Sequence, residues 1–283
     1  MAWDRALYGP GGFFTQQRPL DHFRTSVANP VFREAVLALA HRVDAALGLP
    51  DPFDLVDLGA GAGELLAGLA DDAPGRWRLS SLDVLPGGGF ATLPEVTGLL
   101  LANEWLDAVP LDVVVDGRLV LVSSSGVEEL GGRSTSPWPD RWWPGGGRVE
   151  DGSTRDRAWA HAVSRVRRGL AVAVDYGHDL TTRRTTLTGY RDGRQVPPVP
   201  DGRGDLTAHV ALDSCAAATG ARLMTQRRAL TSLGVSAALP AAGPGYARGL
   251  ERASRAAELL DPAGLGGFGW LVQAVAVRPD LLG

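Results

Sequence analysis

The sequence predicts a doubly wound α/β fold, a mostly parallel sheet with helices on both faces. Three observations predict it. Short apolar runs of strand length recur at 53–58 (FDLVDL), 97–102 (TGLLLA), 170–174 (LAVAV) and 270–277 (WLVQAVAV). Stretches with apolar residues at helical spacing lie between them. The first run passes straight into Gly59-Ala60-Gly61-Ala62-Gly63 and then a helical segment, the strand–turn–helix start of a ligand-binding α/β unit.

Each element has a local reason. Residues 1–30 are punctuated by Gly and Pro yet carry Tyr8, Phe13, Phe14 and Phe23, so they read as an ordered, irregular arm rather than a tail. A helix is expected over 31–47, with Val36, Leu39, Ala40, Val43 and Leu47 on one face and Gly48 and Pro50 ending it. After the strand at 53–58, a helix is expected over 64–69, a second strand within 77–84 and a third at 97–102. Residues 111–115 and 118–122 flank Asp116-Gly117, a strong two-residue hairpin signal. Residues 124–155 are rich in Gly, Ser and Trp with weak periodicity, and read as an insertion or lid-like excursion. A helix over 156–168 feeds the strand at 170–174, and a long loop is expected over 177–204. Then come a helix at 211–219, a strand at 221–225, helical segments around 245–260 and a last strand at 270–277. No internal repeat is present. Residues 1–283 are expected to form one domain, with 1–50 as arm and first helix.

Composition narrows the function. The single cysteine, Cys215, excludes an internal disulfide, a redox pair and a cysteine-rich zinc site. There is no lysine, so all 28 basic residues are Arg. That removes Schiff-base chemistry and the phosphate-binding P-loop. The Arg-only, Gly- and Ala-rich usage reads as the coding bias of a high-GC, bacterial genome. A net charge of -4 argues against a nucleic-acid binder. No two of the 5 histidines stand at i, i+4, so no metal site is expected. No apolar run reaches membrane-spanning length, and the N-terminus lacks the pattern of a signal peptide. The expected location is cytoplasmic.

The glycine turn separates two ligand classes. Asp83 lies 20 positions after Gly63, where a carboxylate accepts hydrogen bonds from ribose hydroxyls. Dinucleotides and S-adenosyl-L-methionine both use that layout. A dinucleotide site needs a small residue where Glu64 stands, and Glu64 repels a pyrophosphate at a helix N-terminus. Asp57, two residues before the first glycine, suits the ammonium of a methionine moiety. Asp57, Gly59, Gly61, Gly63 and Asp83 are therefore expected to bind S-adenosyl-L-methionine. A nicotinamide oxidoreductase is the disfavoured alternative.

Several segments, in order, carry a family resemblance: YGPGGFFT at 8–15, HFRTS at 22–26, the glycine loop, ANEWLDAVP at 102–110, VDYG at 174–177, DLTAHV at 205–210 and GGFGW at 266–270. Together they resemble the MidA-like S-adenosylmethionine-dependent methyltransferases over nearly the whole chain. Mitochondrial members of that family assist complex I assembly by methylating an arginine of one subunit. The resemblance implies a Rossmann-like, seven-stranded class I methyltransferase sheet with an N-terminal arm and insertions, and a protein substrate. The sequence departs from the family at Phe13, usually Tyr, and at Val27-Ala28, usually Pro-Glu. The stretch after Asp83 is also shorter, where the family usually has a helix and a further strand. These departures motivate a second reading, a non-catalytic assembly factor of the same fold that binds a partner protein.

Methyl transfer to a guanidinium needs carboxylates that hold the cation and take up its proton. Asn103 and Glu104 stand just past a strand's carboxyl end, and Asn103 is also a candidate cofactor contact. Asp175 stands on the same rim, and an acceptor pocket is expected from Asn103, Glu104 and Asp175. His209 is a candidate base. Asp107 and Asp205 read as helix caps as readily as site residues. Trp138, Trp142 and Trp143 read as packing within the insertion. Cys215 reads as a buried helix residue without a role.

Overall fold

A computed structural model describes residues 2–16, 25–83 and 93–283. The arm begins with two short helices, α1 (Ala2–Tyr8) and α2 (Phe13–Gln16). The arm up to Gln16 is thus largely helical rather than irregular; its His22, Phe23 and Arg24 lie outside the described residues. Helix α3 (Pro30–Ala46) starts with Pro30 at its first position and Asn29 as cap. The Asn29 side chain accepts from Val31 N at 3.0 Å and donates to Arg255 O at 3.0 Å, tying α3 to a later helix. Asn29→Ala is expected to cost about 1 kcal/mol, the usual worth of such a cap. Urea unfolding checks this, and an unchanged midpoint would remove the cap from the account.

Strand β1 (Phe53–Leu58) leads through the glycine turn to the single helical turn α4 (Glu64–Ala67), then β2 (Trp77–Leu82) and β3 (Val96–Asn103). Next come β4 (Asp112–Val115), β5 (Arg118–Val122), β6 (Glu128–Arg133), α5 (Trp138–Trp142) and β7 (Arg148–Asp151). These strands form one antiparallel sheet in the order β6-β5-β4-β7. Asp116 and Gly117, at φ 50° and 72°, turn its expected hairpin. The hairpin thus shares one sheet with two strands from within the expected insertion at 124–155. Weak periodicity hid that sheet because β5 and β6 are largely exposed and so carry little alternation.

Helix α6 (Ser153–Ser164) feeds β8 (Val166–Asp175). The expected loop at 177–204 contains three short strands, β9 (Gly177–His178), β10 (Thr188–Arg191) and β11 (Arg194–Val196). Strand β10 pairs with β11 and with β12 (Asp205–Thr207), while β13 (Val210–Ala211) pairs with β9. Pairs this short are below the length at which alternation can be read. The chain closes with α7 (Leu212–Thr219), β14 (Arg222–Thr225), α8 (Gln226–Ser232), α9 (Tyr246–Leu260) and β15 (Gly269–Val275).

The central sheet has the order β14-β15-β8-β3-β1-β2. Strands β2, β1, β3 and β8 run parallel, and β15 is antiparallel to both its neighbours. Among the described residues it has six strands, not the expected seven. Of the 12 residues between Asp83 and Val96, residues 84–92 lie outside the described ones. Side chains alternate between two cores. Leu99 and Leu101 of β3 face α3, α8 and α9, while Leu100 and Ala102 face α6 and α7. Both faces are thus covered, which is why the strands read as unbroken apolar runs. In the arm, Trp3, Leu7 and Phe13 pack with Leu111, Val113 and Leu206, so the arm and the inserted sheets share one core beside the main sheet.

Candidate functional site

At the carboxyl ends of β1, β3 and β8 lies a cleft of about 310 Å³. Strand ends where a parallel sheet meets its turns are the usual ligand position in such folds. The turn after β1 is pinned by Gly59 N and Ala60 N, both donating to Leu82 O at 2.7 and 3.2 Å. Gly59, Gly61 and Gly63 have φ of 75°, 57° and 84°, a region open to glycine and costly for other residues. Of the expected residues, Asp57, Gly59, Gly61, Asn103 and Glu104 share this one cleft. Gly63 sits behind it as the cap of α4, its missing Cβ facing Ser81 Oγ at 3.2 Å. Asp83, just past β2, is close enough for its charge to raise the pKa of Asp57.

Glu104 has a strained backbone, φ 52°, held by its N–H donating to Val174 O at 2.8 Å. Such strain persists where the surroundings over-determine the conformation. Its Oε1 accepts from Ser26 N at 3.2 Å and from Asn103 Nδ2 at 2.9 Å. The arm thereby meets the cleft directly, with Phe14, Thr25 and Val27 on its wall.

Besides Gly63 and Asp83, two further expected residues are not on the wall. Asp175 is buried, and its Oδ2 accepts from Leu106 N at 2.9 Å and Asp107 N at 3.2 Å. The expected acceptor pocket of Asn103, Glu104 and Asp175 is therefore corrected: Asp175 braces the turn that carries Asp107. His209 lies behind Tyr176, ring centroids 5.2 Å apart and edge-on. Burial, then the charge of Arg184, lowers its pKa, and it does not line the cleft.

Asp107 and Asp205, read in part as caps, both face the cleft instead. The Asp107 Oδ2 accepts from Thr207 Oγ1 at 2.9 Å and from the Tyr176 hydroxyl. Asp205 lies in β12 opposite Tyr190, so it caps no helix. The sequence signal that could have found them was present: both stand in segments that also carry expected site residues, ANEWLDAVP and DLTAHV. Arg155, almost wholly buried, holds this region together. It donates to the carbonyls of Val109 (3.0 Å), Ala208 (2.8 Å), His209 (3.1 Å) and Asp107 (2.5 Å).

Trp138 and Trp143 are buried within the inserted region. Cys215 is buried, and burial pushes its thiol well up.

Among the described residues, five carboxylates and no basic side chain line the cleft: Asp57, Glu64, Glu104, Asp107 and Asp205. Burial pushes Asp57 up to about 7, helped by Asp83 and Glu64. Burial and then Asp107 push both Glu104 and Asp205 up to about 7. In the unfolded chain such groups titrate near 4. Between about pH 4 and 7 the folded protein thus holds protons that the unfolded chain releases, and stability falls as pH rises through that window. Urea midpoints of the ligand-free protein are expected to be higher at pH 5 than at pH 7.5. The reverse order would contradict the burial of these acids.

Among the described residues no group of His, Cys, Asp and Glu is placed to hold a metal, and no helix is long and apolar enough to cross a membrane.

The fold has solved counterparts. A superfamily member from Burkholderia thailandensis, crystallised with S-adenosyl-homocysteine, superposes with a TM-score of 0.77 at 22% identity, over 98% of this chain and 87% of that one. A native structure of a superfamily protein from the same organism gives 0.74 at 22% identity, over 99% and 88%. At that identity the likeness shows the fold. No curated protein matches the chain. The sequence model of a family described as "Putative S-adenosyl-L-methionine-dependent methyltransferase" matches residues 70–228, more than half of the chain, including ANEWLDAVP, VDYG and DLTAHV. The chain belongs to this family, the MidA-like S-adenosyl-L-methionine-dependent methyltransferases.

Proposed function

We propose that this methyltransferase acts on a protein, with an arginine side chain as acceptor. The observation that carries the reading is the charge of the cleft, which among the described residues has five carboxylates and no basic side chain. Such a cleft favours cationic ligands and repels phosphate, so nucleic acid does not fit as a substrate. The residues present suit the cofactor. Asp57, held near 7 for want of a cation, would take the ammonium of the methionine moiety. Gly59 and Gly61 leave the backbone open to close approach, with Gly63 shaping the turn. Asp83 would accept from ribose hydroxyls, and Asn103, at the end of the strand next to β1, would contact the cofactor.

S-adenosyl-L-methionine supplies a methyl group on a sulfonium, activated for displacement. The protein's part is to align the acceptor and remove its proton. A guanidinium stays protonated in water. Glu104, pushed to about 7, has the affinity for a proton that a base at neutral pH needs. Its Oε1 is fixed by Ser26 and Asn103, which leaves Oε2 for the acceptor. The single buried cysteine and the lack of disulfides agree with a cytoplasmic, reducing location.

The test is transfer of labelled methyl from the cofactor to a cell lysate. Label recovered as methylated arginine in protein is expected. Label confined to nucleic acid or small molecules would overturn the acceptor assignment. Tight cofactor binding with no transfer would favour the assembly-factor reading, which the short segment after Asp83 motivates.

A further inference from the structure

Around the cleft, three buried oxygens have no hydrogen-bond partner among the described residues. They are Asn103 Oδ1, Asp107 Oδ1 and Asp205 Oδ1. Their residues are 7%, 7% and 8% exposed, and all three line the cleft. Buried polar atoms are nearly always hydrogen-bonded, so three orphans around one cavity call for an explanation. All three are acceptors. Asn103 spends its amide N–H on Glu104, so its free atom is the carbonyl oxygen. Asp107 spends Oδ2 on Thr207 and Tyr176, which locks the carboxylate and leaves Oδ1 free. Tyr176 is itself held by Thr207 at 2.5 Å and packed between His209 and Phe268. Asp205 stands in β12, two residues before Thr207 in the same short strand.

The three come from separate elements: the end of β3, the turn after it and the inserted sheet. Nothing in the core requires them to meet. A ligand bearing several N–H groups would satisfy these acceptors together. Two of the three are carboxylates, so a cationic ligand gains charge-assisted hydrogen bonds that a neutral one does not. Asp57 and the glycine loop form a different part of the wall, at the end of β1.

We propose that Asp107 and Asp205, with the Asn103 carbonyl, form the subsite that grips the acceptor, a cationic side chain bearing several N–H donors. Tyr176 and Thr207 are positioning residues that aim Asp107. The proposal rests on the methyltransferase reading and replaces the acceptor role first expected of Asp175. Specificity is then built where the sheet of β10, β11 and β12 meets the central one, away from the cofactor contacts of Asp57 and the glycine loop.

The experiment uses full-length protein saturated with S-adenosyl-L-homocysteine. Three peptides are titrated into it by calorimetry: Gly-Arg-Gly, Gly-Lys-Gly and the uncharged Gly-citrulline-Gly. At least one cationic peptide is expected to bind ten times or more tightly than the citrulline peptide, and the arginine and lysine arms identify the side chain. Asp205→Asn is expected to remove about tenfold of that preference while leaving S-adenosyl-L-homocysteine affinity unchanged. Asp107→Asn should do the same, and Tyr176→Phe should weaken the preference less. Cofactor affinity also reports that each variant is folded. Equal binding of charged and uncharged peptides, no binding of either cationic peptide, or a full preference retained by both Asp variants would overturn the proposal. Failure of the wild type to bind S-adenosyl-L-homocysteine would instead sink the reading beneath it, and the proposal with it.

Discussion

A protein carrying Glu104→Gln is expected to bind S-adenosyl-L-homocysteine as the wild type does and to transfer methyl at least about 10²-fold more slowly. Glutamine keeps the length of the side chain. Its carbonyl oxygen still accepts from Ser26 N and Asn103 Nδ2, so the strained turn at φ 52° and the arm contact survive. What it loses is the capacity to take a proton. Glu104 titrates near 7 because burial and Asp107 oppose its charge, and no uncharged residue reproduces that. The loss therefore belongs in kcat rather than in cofactor affinity. Transfer rates with labelled cofactor and calorimetry with S-adenosyl-L-homocysteine, run on the same two proteins, separate these terms. Equal transfer by both proteins would remove Glu104 from the chemistry. A matched fall in cofactor affinity would make it a cofactor contact.

The second large effect concerns the loop. Gly61→Val is expected to weaken cofactor binding by about 10²-fold or more. Gly61 has φ 57°, a conformation that a β-branched residue tolerates poorly. A Cβ built there meets only Glu64 Oε2, at 3.7 Å, so the added bulk finds no clash inside the protein and stands in the cleft. Gly59 is a poorer probe, because its Cβ would lie 2.8 Å from the Trp105 ring and disturb packing as well. Calorimetric titration checks the result. Wild-type affinity in Gly61→Val would place the cofactor away from the loop.

The parts of this protein legible from sequence were those where burial is two-sided or where glycine is required. FDLVDL, TGLLLA and LAVAV are buried on both faces and read as strands for that reason. The Asp116-Gly117 hairpin was legible because its turn needs positive φ at both residues. The inserted sheets were not legible as sheets. Their strands are short, β5 and β6 are largely exposed, and their pairing joins Asp112 to Asp151 and Thr188 to Thr207, partners no local window contains.

The site was legible in the same uneven way. Asp57, the loop glycines, Asn103 and Glu104 lie at strand ends, which topology alone assigns to the ligand rim. Asp175 lies at a strand end as well, but two backbone N–H groups take its carboxylate inward. A side chain's partners decide this, and they come from the following turn of another strand. Asp205 reaches the cleft through β12, a strand whose existence the sequence concealed. The arm shows the same limit. Its aromatics announced order, but the contact from Ser26 N to Glu104 spans 78 residues.

The most direct test of the central claim is a crystal structure of this protein with S-adenosyl-L-homocysteine. The account predicts the ligand in the cleft between the Gly59-Ala60-Gly61 turn and Asn103. Its ammonium should lie on Asp57 and its ribose on Asp83, with the sulfur facing the side where Glu104, Asp107 and Asp205 stand. A ligand bound elsewhere, or one whose ammonium avoids Asp57, would contradict the site. Crystals grown in saturating ligand with this cleft filled by protein side chains would contradict the function.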